Sequence, residues 1–265
     1  MKPSIVLAIL LFVAQVTPGI ADAREVLISG RTMGTTYHIK IVAGILDRIA
    51  PLEKRIARRL DDINQSMSTY LKDSEISRFN RLRVSRETLP VSSDFFRVMT
   101  VARRLHRLTD GAWDGTVYPL IKLWGFSGAT TSGQVPDNDR IQAILPRIGF
   151  DKILVSPDRL LSKKTAGVTL DLASITKGFA VDQVAEVIRR AGFENYLVEI
   201  GGEVYAGGRR PDGGKWRVGI NQPKADAAPN AVYQVALLQD QGFATSGDYR
   251  NFFEHNGVRY SHVID

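Results

Sequence analysis

The run Asp171-Leu172-Ala173-Ser174-Ile175-Thr176-Lys177-Gly178 carries the pattern best suited to chemistry. A carboxylate at the end of an expected strand is followed by small residues that open a helix, with Lys177 in the expected first turn. A helix start offers free N–H groups and positive potential, and both suit a phosphate. A lysine is ordinarily favoured at the other end of a helix. Lys177 therefore works against the dipole, and an anionic ligand would offset that cost. The plainer alternative is an exposed lysine with no role.

His262, in the strand-like run that closes the chain, is the candidate general base, against the alternative of a structural histidine. His106 and His255 read as structural or exposed. Tyr70 in Met67-Ser68-Thr69-Tyr70 stands at a helix exit, where it either stacks on a flat ring or edges the core. Asp73 or Ser74 in the following DSEISRFN run can cap a short helical turn. Ala112-Trp113-Asp114 and Leu123-Trp124-Gly125-Phe126 place two tryptophans and an acid in a loop-rich stretch, as a binding surface or a hydrophobic plug. Met33-Gly34-Thr35 puts a glycine and a hydroxyl at a strand start. The pair Gly201-Gly202 in Glu199-Ile200-Gly201-Gly202-Glu203 allows close approach of backbone or ligand, but the glycine spacing is not a dinucleotide fingerprint. No HExxH, CxxC or nucleophile-elbow serine occurs.

The elements that must hold these residues follow from periodicity. Ile45 to Met67 has apolar residues at three- and four-residue steps, which predicts an amphipathic helix with Lys54, Arg55, Arg58 and Arg59 facing water. A second helix starts from Ser92 or Ser93 and ends near Gly111. A third runs from near Ser174 to Gly192. Arg24 to Val42 alternates as a strand pair or a strand and bend. Further strands are expected at Tyr196–Ile200, Trp216–Ile220, Val232–Leu238 and Val258–Ile264. Thr130 to Asp139 reads as a surface loop. Strands and helices do not alternate regularly, so the expected class is α+β with antiparallel sheets packed with helices.

The 265 residues are 44% hydrophobic with a net charge of +7, a globular composition whose surface favours anions. The basic helix lacks interleaved aromatic residues, so no nucleic acid is expected as a partner. The absence of cysteine excludes disulfides, thiolate chemistry and a lipoprotein anchor. Residues 1–23 read as a signal peptide: Lys2, an apolar run from Ile5 to Ala14, then Ala21-Asp22-Ala23. The apolar run is too short for a stable membrane span. The expected location is the periplasm, with residues 24–265 as the exported domain.

Taken together, these blocks resemble the ApbE family of FAD:protein FMN transferases. The matching runs are Met33-Gly34-Thr35, MSTY with DSEISRFN, GAWDGTVYPL with LWGF, DLASITKG, EIGGE, TSGDYRNF and SHVID, in family order. The resemblance implies a T-fold-like architecture and magnesium-dependent transfer of the FMN half of FAD to a threonine or serine hydroxyl of a target flavoprotein, a redox-complex subunit, with release of AMP. It implies that Met33, Tyr70, Ala112, Trp113, Asp114, Asp171, Lys177 and Ile264 contact FAD. By the same resemblance, Ser174 gives a magnesium ligand through its carbonyl and His262 is the base. Family members continue beyond SHVID into an Asp-Ala-x-x-Thr segment with further magnesium ligands, so the chain is expected to be incomplete at its C-terminus. They often carry glycine at the place of Ala173, which would be strained here if a positive φ were needed. The alternatives are a magnesium-dependent FAD pyrophosphatase and a non-catalytic periplasmic flavin-binding or accessory protein.

Overall fold

The computed structural model describes residues 23–127, 133–224, 227–228, 231–248 and 251–264. The expected signal segment up to residue 22, Tyr249 and Arg250 of the TSGDYRNF run, and Asp265 lie outside the described residues.

The chain opens with strands β1 (Arg24–Thr32) and β2 (Thr35–Ala43), then helices α1 (Ile49–Met67) and α2 (Glu75–Arg81), strand β3 (Leu89–Pro90) and helix α3 (Ser93–Leu108). The short helices α4 (Tyr118–Leu123) and α5 (Asn138–Ile144) lead to β4 (Ile153–Val155) and β5 (Leu160–Lys163). After helix α6 (Ala173–Arg190) the described residues form the strands β6 (Tyr196–Ile200), β7 (Glu203–Gly207), β8 (Trp216–Asn221), β9 (Val232–Leu238), β10 (Gln241–Phe243), β11 (Phe252–His255) and β12 (Val258–Ser261).

The central sheet is five-stranded and antiparallel, in the order β1-β2-β6-β7-β10. Alternation along β2 sends Tyr37, Ile39 and Ile41 to one face, where they meet Leu52, Ile56, Leu60 and Ile63 of α1 and Val181, Val184 and Ile188 of α6. On the other face Val204 and Ala206 of β7 pack on Trp216 and Leu238 of the β8–β9 hairpin. A three-stranded sheet β3-β5-β4 and the hairpin β11–β12 complete the strands among the described residues. The expectation of α+β with antiparallel sheets is met.

Several local expectations shift. Helix α1 starts at Ile49, and Ile45 is 65% exposed ahead of it. Arg59 does not simply face water, because it pairs with Asp94 and donates to Gln183 at 2.7 Å, tying α1 to α3 and α6. Ser92 caps α3 by accepting from Phe95 N. Of the expected 130–139 loop, residues 133–137 are loop, but α5 already begins at Asn138. β12 ends at Ser261, so His262 follows the strand instead of lying in it. No helix among the described residues is long and apolar enough to cross a membrane.

Candidate active site

Two tight turns meet the start of α6 at one end of the central sheet. Thr32 pairs with Thr35, so Met33 and Gly34 form a two-residue hairpin loop, with φ of 51° and 74°. Ile200 pairs with Glu203, so Gly201 and Gly202 form another, with φ of 56° and 99°. Paired positive φ is the signature of the turn that matches strand twist. Since Tyr37 pairs with Ile200, both turns sit at the same sheet end. There a cleft of about 80 Å³ is lined by residues including Met33, Asn64, Met67, Ser68, Tyr70, Asp171, Ala173, Thr176 and Lys177. Past Gly34, Gln65 and Leu71 it shares walls with a shallower groove of about 610 Å³.

Met33, Tyr70, Asp171 and Lys177, singled out in the sequence, thus converge from three separate segments. Tyr70 is 90% exposed at the lip, so it is not a core-edge residue but an open aromatic face. Its position is fixed from below. Ser74 accepts from Ser77 N as the cap of α2 and donates its hydroxyl to Ser68 O at 2.7 Å, pinning the loop that carries Tyr70.

Asp171 does not end a strand, contrary to expectation. It lies in a stretch without regular secondary structure that is held at two points. Its N–H donates to Gly115 O at 2.8 Å, and the Asn80 side-chain amide clasps both backbone groups of Leu170, accepting at 2.7 Å and donating at 2.9 Å. The Asp171 carboxylate then accepts from Ala173 N at 2.8 Å and opens α6. Ala173 is the first helical residue, outside the left-handed region, so no glycine is needed there.

Lys177 stands in the second turn of α6, not the first. Its charge is already met: the ammonium lies 3.0 Å from Glu203 Oε2, in a geometry that makes a charge contact and not an aligned hydrogen bond. It also reaches Gly201 O at 3.4 Å. Glu203 is thus an anion within the chain that lies against the Lys177 charge. The sequence showed Glu203 only as part of a turn, and nothing local pairs it with a lysine 26 positions earlier.

The Ala112-Trp113-Asp114 run supports this corner without lining the cleft. The Trp113 indole donates to Ser174 Oγ at 3.1 Å. Asp114 is occupied structurally, accepting from Thr116 N at 2.7 Å and Phe150 N at 2.9 Å. Ala112 is an exposed loop residue. Buried Gly115 leaves room for this approach, since a Cβ there would stand 3.1 Å from the Trp113 ring.

His262 and Ile264 do not line the cleft. They follow the β11–β12 hairpin, which docks on the Leu123–Phe126 segment through rings: Trp124 lies 5.3 Å from Tyr260 and 6.4 Å from Phe253, and Phe126 lies 5.5 Å from Phe253. The LWGF block therefore acts as a hydrophobic plug that seats the hairpin. His262 Nδ1 lies 3.2 Å from Asn251 O. A carbonyl only accepts, so Nδ1 carries the proton of the neutral ring and Nε2 keeps its lone pair. His106, as expected, is structural: its Nδ1 bonds Trp113 O at 2.9 Å.

Magnesium demands six hard oxygens in near-octahedral array. Ser174 is exposed in the first turn of α6, but among the described residues no three His, Cys, Asp or Glu side chains converge on a metal site. These residues alone do not compose a magnesium cage.

The ApbE family model matches residues 33–265. An FAD:protein FMN transferase of Vibrio cholerae is 44% identical over 245 residues, covering 92% of this chain and 72% of that one. That of Haemophilus influenzae is 40% identical over 249 residues, with the same coverage. The solved flavin transferase ApbE from Vibrio cholerae superposes with a TM-score of 0.81 at 41% identity, covering 92% of this chain and 76% of that chain. The apo form of the Pseudomonas stutzeri flavinyl transferase ApbE gives 0.78 at 36% identity, covering 91% and 73%. A family match over most of the chain, relatives above 30% identity and a shared fold carry one conclusion: the chain belongs to the ApbE family.

Proposed function

We propose that the protein is an FAD:protein FMN transferase that moves the FMN half of FAD to a serine or threonine hydroxyl of an acceptor flavoprotein. The observation that carries this reading is the convergence of Met33, Tyr70, Asp171 and Lys177 on one cleft at a helix start, in a chain of the ApbE family. FAD binds with its flat ring against the open Tyr70 face and its pyrophosphate toward the start of α6, where the helix dipole and Lys177 favour anionic oxygens. Lys177 exchanges Glu203 for a phosphate oxygen.

The reaction is a phosphoryl-type transfer, governed by alignment and charge stabilisation. The acceptor hydroxyl oxygen forms a bond to the FMN phosphorus, the bond from that phosphorus to the bridging oxygen breaks, and AMP leaves with the electron pair. The hydroxyl proton passes to Nε2 of His262, whose tautomer is already set by Asn251 O. Trp113, Asp114, Ala112 and Ile264 belong to the proposal as residues close to the bound cofactor. The same proposal places the protein in the periplasm after export, acting on a redox-complex subunit.

Magnesium dependence and a Ser174 carbonyl ligand are also part of it, since the phosphate oxygens of FAD are the hard ligands this ion prefers. Chelation with EDTA is expected to abolish transfer and added magnesium to restore it. The test of the function is to incubate the protein with FAD, magnesium and an acceptor domain carrying a Ser/Thr-Gly-Ala-Thr sequence. An FMN adduct on the acceptor is expected. Free FMN and AMP without an adduct would assign the site to hydrolysis, and FAD left unbound would point to neither.

A further inference from the structure

The Gly201-Gly202 turn is gripped from both faces of the sheet. On the cleft side, Lys177 reaches Gly201 O. On the opposite side, Glu199 Oε1 accepts from Gly202 N at 2.7 Å, and its other oxygen holds His38 Nδ1 at 2.8 Å. Alternation along β6 puts Glu199 on the face away from Val198 and Ile200, which point into the core beneath α6.

Gly201 O and Gly202 N belong to one peptide unit. That unit is planar and trans, so its C=O and N–H point in opposite directions. Fixing the N–H outward through Glu199 therefore aims the carbonyl inward at Lys177. Two successive glycines have the widest backbone freedom of any pair, and the turn would sample other peptide orientations without such an anchor. Gly201 is also tightly housed, since a Cβ there would stand 2.7 Å from Thr35 Cγ2.

We propose that Glu199, backed by His38, is a positioning residue for Lys177: it holds the Gly201–Gly202 peptide so that the lysine is placed for the cofactor phosphates. The inference rests on the reading of the cleft as the FAD site. His38 is half-exposed and Glu199 one-quarter exposed, so neither is needed as core filling.

Steady-state transfer by the full chain tests it, with FAD varied and acceptor saturating. Glu199→Ala raises KM for FAD about tenfold, the worth of one charged hydrogen bond, and changes kcat less than threefold. Glu199→Gln stays within about twofold of wild type, because its amide oxygen still accepts from Gly202 N and its NH2 group can donate to His38. In a Lys177→Ala background, Glu199→Ala adds nothing, since a residue acting through Lys177 has no effect once Lys177 is gone. A KM within twofold of wild type for Glu199→Ala, or the same tenfold increment without Lys177, overturns the proposal. If Glu199→Ala does not fold, His38→Ala serves: a smaller rise in KM that disappears in the Lys177→Ala background is expected, and an unchanged KM overturns the role. A wild-type protein that fails to bind FAD overturns the underlying reading and the inference together. An active wild type with an indifferent Glu199→Ala overturns the inference alone.

Discussion

In the proposed mechanism, His262 serves the chemistry and Tyr70 the binding. With Nδ1 bonded to Asn251 O, Nε2 of His262 is the ring nitrogen left to accept a proton. His262→Ala is expected to lower kcat by roughly 100- to 10,000-fold, the usual worth of a positioned base, and to leave the FAD dissociation constant within about twofold. Rapid-quench transfer and fluorescence titration separate the two quantities. Tyr70 shows the reverse behaviour. On the proposed reading its exposed ring stacks on the flavin, so Tyr70→Ala is expected to weaken FAD binding about three- to tenfold. The same titration measures that loss, with kcat at saturating FAD nearly unchanged. Asp171, Lys177 and Tyr70 were legible in the sequence because each stands in a contiguous run beside a helix end. Glu203 and Asn80 were not. Their partners are 26 and 90 positions away, a pairing created only by the sheet and by the packing of α2 on the segment before α6.

At the scale of elements, the motif blocks serve as scaffolding as much as chemistry. In the DSEISRFN run, Ser74 caps α2 and pins Ser68, while Asn80 clamps Leu170 next to Asp171. Ser74→Ala is expected to cost about 1 kcal/mol of stability by urea unfolding. Because Ser68 loses its anchor, FAD affinity also falls, whereas a cap with no link to the site would leave binding untouched. The long helices and the strands β6, β8, β9 and β12 were readable from period and caps, whereas β10 and β11 were not read. The short β3, β4 and β5 and the helices α4 and α5 were not, since two to seven residues carry too little periodicity. The β11–β12 hairpin had a usable signal in Asn256-Gly257, both at positive φ between paired His255 and Val258. The ring contacts that seat the hairpin on Trp124 are long-range and had none.

Across the whole molecule, one buried charge sets a testable pH dependence. Lys163 is 1% exposed and donates to Asn80 O at 3.1 Å and Leu82 O at 3.3 Å, with its ammonium 4.9 Å from the Phe79 ring. Burial, aided by Arg83, pushes its pKa down to about 8. The folded chain therefore gives up this proton before the unfolded chain does. Stability carried by this group is lowest below pH 8 and rises between about pH 8 and the ordinary lysine range, by on the order of 3 kcal/mol. Lys163→Met should remove that rise, as chemical denaturation of both proteins at stepped pH would show. A parallel slope in both would contradict it.

The central claim is that the cleft between the two turns and the start of α6 holds the dinucleotide. The most direct measurement is a crystal structure of the protein with FAD. The account predicts phosphate oxygens within hydrogen-bonding distance of Lys177 Nζ, the flavin ring against Tyr70, and Nε2 of His262 facing the FMN phosphorus. FAD seated elsewhere, or His262 turned to the far side of the molecule from the pyrophosphate, would contradict it.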